Sequence, residues 1–210
     1  MRRFKDFCMV VGLAYLGLSG CASLEPRADP SRFFTLTAVS QFEQTGPQRS
    51  SNPGGISIGI GPIEFPGYLD REQLVTRISQ NRFQVAENDR WAEPLEGNFT
   101  RVLLEDLTAL LPTAHFANYP WRLSERPEYQ VAIDVLRFEP NADGHVELVA
   151  RWFVRATATK QTSTAKETRL SVAVKGRSTD AAVAALSSAV GDFSREVARA
   201  VAALAAKATP

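Results

Sequence analysis

The residue best placed to do chemistry is Cys21, which follows the small pair Ser19-Gly20 in the run Leu18-Ser19-Gly20-Cys21. A thiol behind two small residues is what a bacterial lipobox presents: the small side chains fit a signal-peptidase pocket, and the sulfur takes up a diacylglyceryl group. The preceding residues agree. Met1 to Asp6 is a short basic segment and Phe7 to Leu18 a short apolar run, the n-region and h-region of an export signal. That run is too short to span a bilayer, which needs about 20 apolar residues. The alternative is an ordinary secretory signal or a core helix that happens to hold a cysteine, and it requires three features to coincide by chance. Each buried methylene contributes about 0.8 kcal/mol, so three acyl chains on Cys21 make attachment effectively permanent. The expected division is a signal peptide over 1–20, a lipidated tether over 21–32 and one domain over 33–210.

Other chemistry finds little support. His115 and His145 are thirty residues apart, without metal-ligand spacing. There is no Gly-x-Ser-x-Gly elbow and no loop ending in Gly-Lys-Ser/Thr. Gly59-Ile60-Gly61 opens like a dinucleotide fingerprint, but Glu64 stands where the third glycine belongs. Asp70 and Glu72 could act as acid and base, although charged loop residues are usually solvated. Asn98-Phe99-Thr100 matches a glycosylation pattern only formally. Cys8 leaves with the signal, so no disulfide is expected. The chain has 24 basic and 23 acidic side chains; the signal carries Arg2, Arg3, Lys5 and Asp6, so the remainder is balanced to within one charge. That gives no electrostatic reason for a nucleic-acid partner. The expectation is no catalytic residue, no metal and no cofactor beyond the covalent lipid on Cys21.

Around that anchor the periodicities define the body. Phe33 to Val39 is rich in aromatic and β-branched residues and reads as a strand. Ser40 to Gly55 reads as a loop, with Gly46-Pro47 and Asn52-Pro53-Gly54-Gly55 as breakers. Ile56, Ile58 and Ile60 alternate with small residues, a strand with one buried side. Gln73 to Arg77 and Phe83 to Glu87 flank a polar turn as a hairpin. Pro94 stands at the first position of a helix reaching Leu111, with Phe99, Leu103, Leu107 and Leu110 on one face, and Pro112 stops it. Tyr129 to Phe138, Val146 to Arg155 and Leu170 to Val174 alternate as strands, the first two joined by the turn Asn141-Ala142-Asp143-Gly144. Ser178-Thr179-Asp180 caps a last helix running to about Ala206, with a stripe from Val183 to Leu204. The predicted fold is α+β: a single domain, a mainly antiparallel sheet of about seven strands, and two long helices packed on one face.

From Ile58 onward the chain resembles the ABC-transporter auxiliary lipoproteins of the paraquat-inducible protein C type. The resemblance rests on Ile58-Gly59-Ile60-Gly61-Pro62-Ile63, on Pro66 with Tyr68-Leu69-Asp70-Arg71, on Gln73 to Arg77, on Asn81-Arg82 and on Arg90-Trp91-Ala92-Glu93-Pro94-Leu95. Glu72 departs from it, since relatives commonly have proline there. The resemblance implies a non-catalytic component of a lipid-transport apparatus across the Gram-negative envelope, working with an MCE-domain periplasmic protein and its inner-membrane partner. Ala22 is not the aspartate that retains many such lipoproteins at the inner membrane, which implies the periplasmic face of the outer membrane. A periplasmic lipid-binding carrier and a structural envelope lipoprotein are the alternatives.

Tyr68, Leu69, Arg71, Arg90, Trp91 and Glu93 read in two ways. Trp91 plugs the end of the core while Arg90 and Glu93 pair with neighbours near the first helix, or the six form an exposed patch that grips a partner, Tyr, Trp and Arg being enriched at hot spots. Leu136, Phe138, Val149 and Phe153 fall on the sheet face opposite the helices, a face either solvated or covered by another copy of the chain, so that a homo-oligomer is open.

Overall fold

The computed structural model describes residues 29–39, 55–122 and 126–208. The expected signal, Cys21, most of the tether and nearly all of the loop from Ser40 lie outside the described residues. Ser31–Pro210 is one compact unit. Along it run β1 (Arg32–Phe34), β2 (Ser57–Glu64), β3 (Gln73–Ser79), β4 (Arg82–Trp91), α1 (Leu95–Leu110), β5 (His115–Asn118), β6 (Tyr129–Pro140), β7 (His145–Ala156), β8 (Thr162–Ala173) and α2 (Thr179–Ala208).

The α+β class and the two helices stand as the periodicities predict, while the strands divide further, into two mixed sheets. One is ordered β5-β2-β6-β7-β8 and the other β1-β4-β3. The meander β6-β7-β8 and the hairpin β3-β4 are antiparallel, but β2 runs parallel to β5 and β6, and β1 parallel to β4. Parallel neighbours need long crossovers, and the chain between β2 and β5 supplies one. Both helices lie on one face of the larger sheet, α1 over β2 and β5 and α2 over β6, β7 and β8. Beneath them Phe99, Phe138, Phe193 and Trp152 are all at most 2% exposed. Phe99 stands edge-on to Phe138 at 5.3 Å, and Trp152 edge-on to Phe193 at 6.1 Å. Burying each such ring contributes roughly 2–3 kcal/mol.

Phe138 overturns its assignment to the outer face. Val135 pairs with Ala150 but Arg137 with Val149, so Leu136 is an inserted bulge residue. A one-residue insertion reverses the alternation after it, and Phe138 turns inward opposite Leu148. Leu136 and Phe153 are half-buried on the outer face and Val149 is buried there. Smaller differences have similar local causes. Pro94 is the cap of α1, with ψ at 132°, and not its first residue. Leu110 is exposed because the buried face of α1 runs through Asn98 and Asp106 instead. β8 begins eight residues before the predicted strand, because an edge strand keeps its ladder even where its side chains are polar.

Only Phe33 and Phe34 of the predicted strand 33–39 join a sheet, together with Arg32. The following residues run as an extended strap between the helices, and side chains take the place of a neighbouring strand. The Leu36 N–H donates to Asn98 Oδ1 at 3.1 Å, the Thr37 N–H to Ser187 Oγ at 3.1 Å, and the Val39 N–H to Asp106 Oδ1 at 2.9 Å. Arg101 Nη2 donates to the Leu36 carbonyl at 3.2 Å. Leu36 and Ala38 enter the core. Buried backbone amides need such partners, which explains polar residues on the inner faces of both helices. Gly191 makes room: a Cβ built there would lie 2.1 Å from Val39 Cγ2.

Candidate functional site

Of the six residues singled out by type, Arg71, Arg90 and Trp91 lie at the start of the hairpin β3-β4 and Tyr68 near its turn, and the six divide between inside and outside. The Trp91 N–H donates to the Glu72 carbonyl at 2.6 Å, which ties the loop after Pro66 to the end of β4. Leu69 and Trp91 are buried in the core. Glu93 pairs with Arg101 at 3.1 Å. Arg71 is exposed, and Arg90 pairs with Glu72 at 2.9 Å on the surface. Phe33 sits beside Arg90 in register and is 65% exposed, a member of the outer group that the strand reading of 33–39 passed over. Its signal was the pair Phe33-Phe34: in a strand one of two adjacent aromatics must face out.

Tyr68 turns inward to a buried carboxylate. Its hydroxyl donates to Glu139 Oε2 at 2.8 Å, and Arg77 Nε donates to Glu139 Oε1 at 2.7 Å. The Phe138 N–H adds a third hydrogen bond at 2.9 Å. Phe83 stacks on Tyr68 at 4.5 Å, and the Arg77 guanidinium lies 4.2 Å from the Phe83 ring centre. Burial first, then the charge and hydrogen bond of Glu139, push the Tyr68 phenol far above its ordinary value. Burial alone would lower the Arg77 guanidinium, but the hydrogen bond and charge of Glu139 outweigh it and hold the group above its usual range. The network lies where the two sheets meet, since β3 touches the end of β6 through Arg77 and Asn141. It is a seam: the buried Glu139 carboxylate accepts from Arg77 on β3 and from the Phe138 N–H on β6, so its partners come from both sheets.

A second tie holds β1 and α2. Arg32 grips Asp89 on β4 with two hydrogen bonds of 2.7 and 2.8 Å, and Thr179 Oγ1, in the first turn of α2, donates to the same carboxylate. An anion beside a helix N-terminus is favourable. The glycines Gly59 and Gly61 also acquire a packing role. A Cβ at Gly59 would lie 2.6 Å from Trp121 and Pro127, and one at Gly61 2.7 Å from Tyr119 Cβ, so the bare backbone of β2 admits the chain that crosses it.

Residues with possible catalytic or ligand roles stand apart. His115 begins β5 and His145 begins β7, strands that are not neighbours. Asp70 and Glu72 are exposed. Asn98 is fully buried in α1. Among the described residues no group of three or more His, Cys, Asp or Glu could hold a metal ion, and no described helix is long and apolar enough to cross a membrane.

These features define an α+β domain whose conspicuous charged and aromatic residues hold its own layers together, with a small amphipathic patch left outside. The chain belongs to the ABC-type transport auxiliary lipoprotein component family, whose model matches residues 34–198. It is 26% identical over 145 residues to the intermembrane transport lipoprotein PqiC of Escherichia coli (strain K12), covering 69% of this chain and 72% of that one, and equally similar to PqiC of Shigella flexneri. Two crystal structures share the fold. A Xanthomonas campestris protein has a TM-score of 0.65 at 15% identity, covering 80% of this chain and 93% of that one. An uncharacterized protein has a TM-score of 0.66 at 19% identity, covering 80% and 97%.

Proposed function

We propose that this protein is a non-catalytic, lipid-anchored component of a trans-envelope lipid-transport system, held by acylated Cys21 at the periplasmic face of the outer membrane. There it docks an MCE-domain periplasmic protein that works with an inner-membrane partner. The observation that carries the reading is the family match over 34–198. It is supported by the name of the relatives, intermembrane transport lipoproteins, and by the lipobox ending at Cys21. The surface best suited to the partner is the outer group Phe33, Arg71, Glu72 and Arg90, since Tyr68, Leu69 and Trp91 are engaged in packing.

Two measurements in cells test this. Metabolic labelling with palmitate is expected to mark the wild-type chain and to leave Cys21→Ser unmarked; equal marking of both, or of neither, overturns the anchor. Crosslinking from positions 71 and 90 is expected to recover an MCE-domain protein, and Arg71→Ala with Arg90→Ala to weaken that recovery while the purified variant melts within about 2 °C of wild type, as exposed substitutions do. Recovery unchanged by the double substitution would move the docking surface elsewhere.

A further inference from the structure

The last apolar residue in the stripe of α2 packs against the edge of the core and stays half exposed. Val197 and Val201 are buried, whereas Leu204 is only partly covered. The strand beneath explains this. Going back along β8, the inward positions change from Val172 and Leu170 to Thr168, Lys166 and Thr164, which pair with the inward Ala150, Trp152 and Val154 of β7. The helix therefore offers hydrocarbon where the strand offers hydroxyls and an amine. Between them lies an open groove of about 700 Å³, lined by Thr162, Thr164 and Lys166 on one side and Arg199, Ala203 and Leu204 on the other.

The polar groups of the groove are those of an anion site, and none of its lining residues is acidic. Arg199 is exposed and makes no hydrogen bond or ion pair with another described residue. Lys166 Nζ is 3.4 Å from Glu196 Oε1, a long contact, while Glu196 Oε2 accepts from Thr168 Oγ1 at 2.9 Å. Glu196 therefore faces Thr168 more closely than it faces the ammonium. The opposite wall has no hydrogen-bonding group at Ala203 or Leu204. An acidic peptide laid there would leave backbone N–H and C=O groups against hydrocarbon, which is costly. A ligand anionic at one end and apolar along the rest meets both walls.

We propose that this groove binds one anionic phospholipid. Its phosphate oxygens accept from Arg199, Lys166 and Thr164, and the upper part of an acyl chain lies along Ala203 and Leu204. The volume is in the range of small-molecule sites, roughly 300–1,000 Å³. The site is also remote from the Arg77 seam: Lys166 pairs with Trp152 and thence with Ile133, roughly 25 Å along β6 from Asn141 at about 3.3 Å per residue. The groove names a cargo class for the transport reading and rests on it for that role, but binding itself is measured without anchor or partner.

The test is calorimetric titration of the full chain carrying Cys21→Ser with dihexanoylphosphatidylglycerol below its micelle concentration. Dihexanoylphosphatidylcholine, inorganic phosphate and hexaglutamate are the comparisons. Phosphatidylglycerol is expected to bind at least about tenfold more tightly than the other three, consistent with the strength of charge-assisted hydrogen bonds. Lys166→Gln with Arg199→Gln is expected to remove that preference, and Leu204→Gln to weaken the lipid without changing inorganic phosphate. Circular dichroism checks that each variant is folded, and Lys166→Gln and Arg199→Gln taken singly replace the pair if it is not. Equal binding of phosphatidylcholine, tighter binding of hexaglutamate, or phosphatidylglycerol affinity within twofold of wild type in the charge variants overturns the proposal. So does phosphate binding as tight as the lipid. An unlabelled Cys21 in cells would sink the anchor and leave this titration untouched.

Discussion

Replacing Arg77 by methionine should expose how much the seam between the sheets depends on one ion pair. Glu139 is 1% exposed and the Arg77 side chain 15%, so the substitution strands a carboxylate that water reaches poorly. Breaking a buried pair from one side commonly costs about 3–5 kcal/mol. The Tyr68 hydroxyl and the Phe138 N–H still hold the carboxylate, and Arg137 Nε stands 4.0 Å from it, which places the cost at the lower end. The guanidinium over Phe83 adds only about 0.5–1 kcal/mol. About 3 kcal/mol is thus expected, and at roughly 2–4 °C per kcal/mol for a domain of this size the Tm falls by about 6–12 °C. Scanning calorimetry of Arg77→Met, Glu139→Leu and the double variant measures it. The double variant should be more stable than Arg77→Met, because removing both charges removes the stranded one. A fall under about 2 °C for Arg77→Met, or a double variant whose loss equals the sum of the singles, would refute the reasoning.

Tyr68 should be the tyrosine that resists alkali. An unfolded phenol loses its proton near pH 10, whereas folded Tyr68 keeps it to higher pH; the native state then holds more protons, so its stability from this group is complete below pH 10 and falls as pH rises beyond it. Absorbance at 295 nm should show a late-ionising class that Tyr68→Phe abolishes. Gly191→Ala should destabilise by about 1–3 kcal/mol despite its better helix propensity, since the new methyl meets Val39 Cγ2; Val39→Ala in the same chain should restore the melting temperature. Asn98→Ala should cost about 1–3 kcal/mol by leaving the buried Leu36 N–H unpaired, measured by urea denaturation.

What could be read from the chain alone was what depends on local periodicity. The alternation at Ile58 and Ile60, the stripe from Val183 to Val201 and the Asn141–Gly144 turn each carry their answer within a few residues. Phe138 did not, because a bulge at Leu136 is invisible to a period of two. Phe33 to Val39 has strand composition throughout, yet beyond Phe34 its partners are side chains of Asn98, Asp106 and Ser187, far away in the chain. For the candidate site, residue type left two readings open: the packing one holds for Trp91, Arg90 and Glu93, while the turn of Tyr68 toward Glu139 depends on a residue 71 positions away. The groove beside Leu204 escaped notice since a stripe shows which way a helix faces and not what lies opposite.

The strap has a kinetic corollary. Its three amides wait for acceptors on both helices, and the Thr37 N–H must find Ser187, 150 residues further along. Loop closure over such a span is slow, so the end that emerges first is the last to be fastened. Until the final helix arrives, Thr37 lacks its acceptor and the strap is held from one side only, by Asn98 and Asp106 of the first helix.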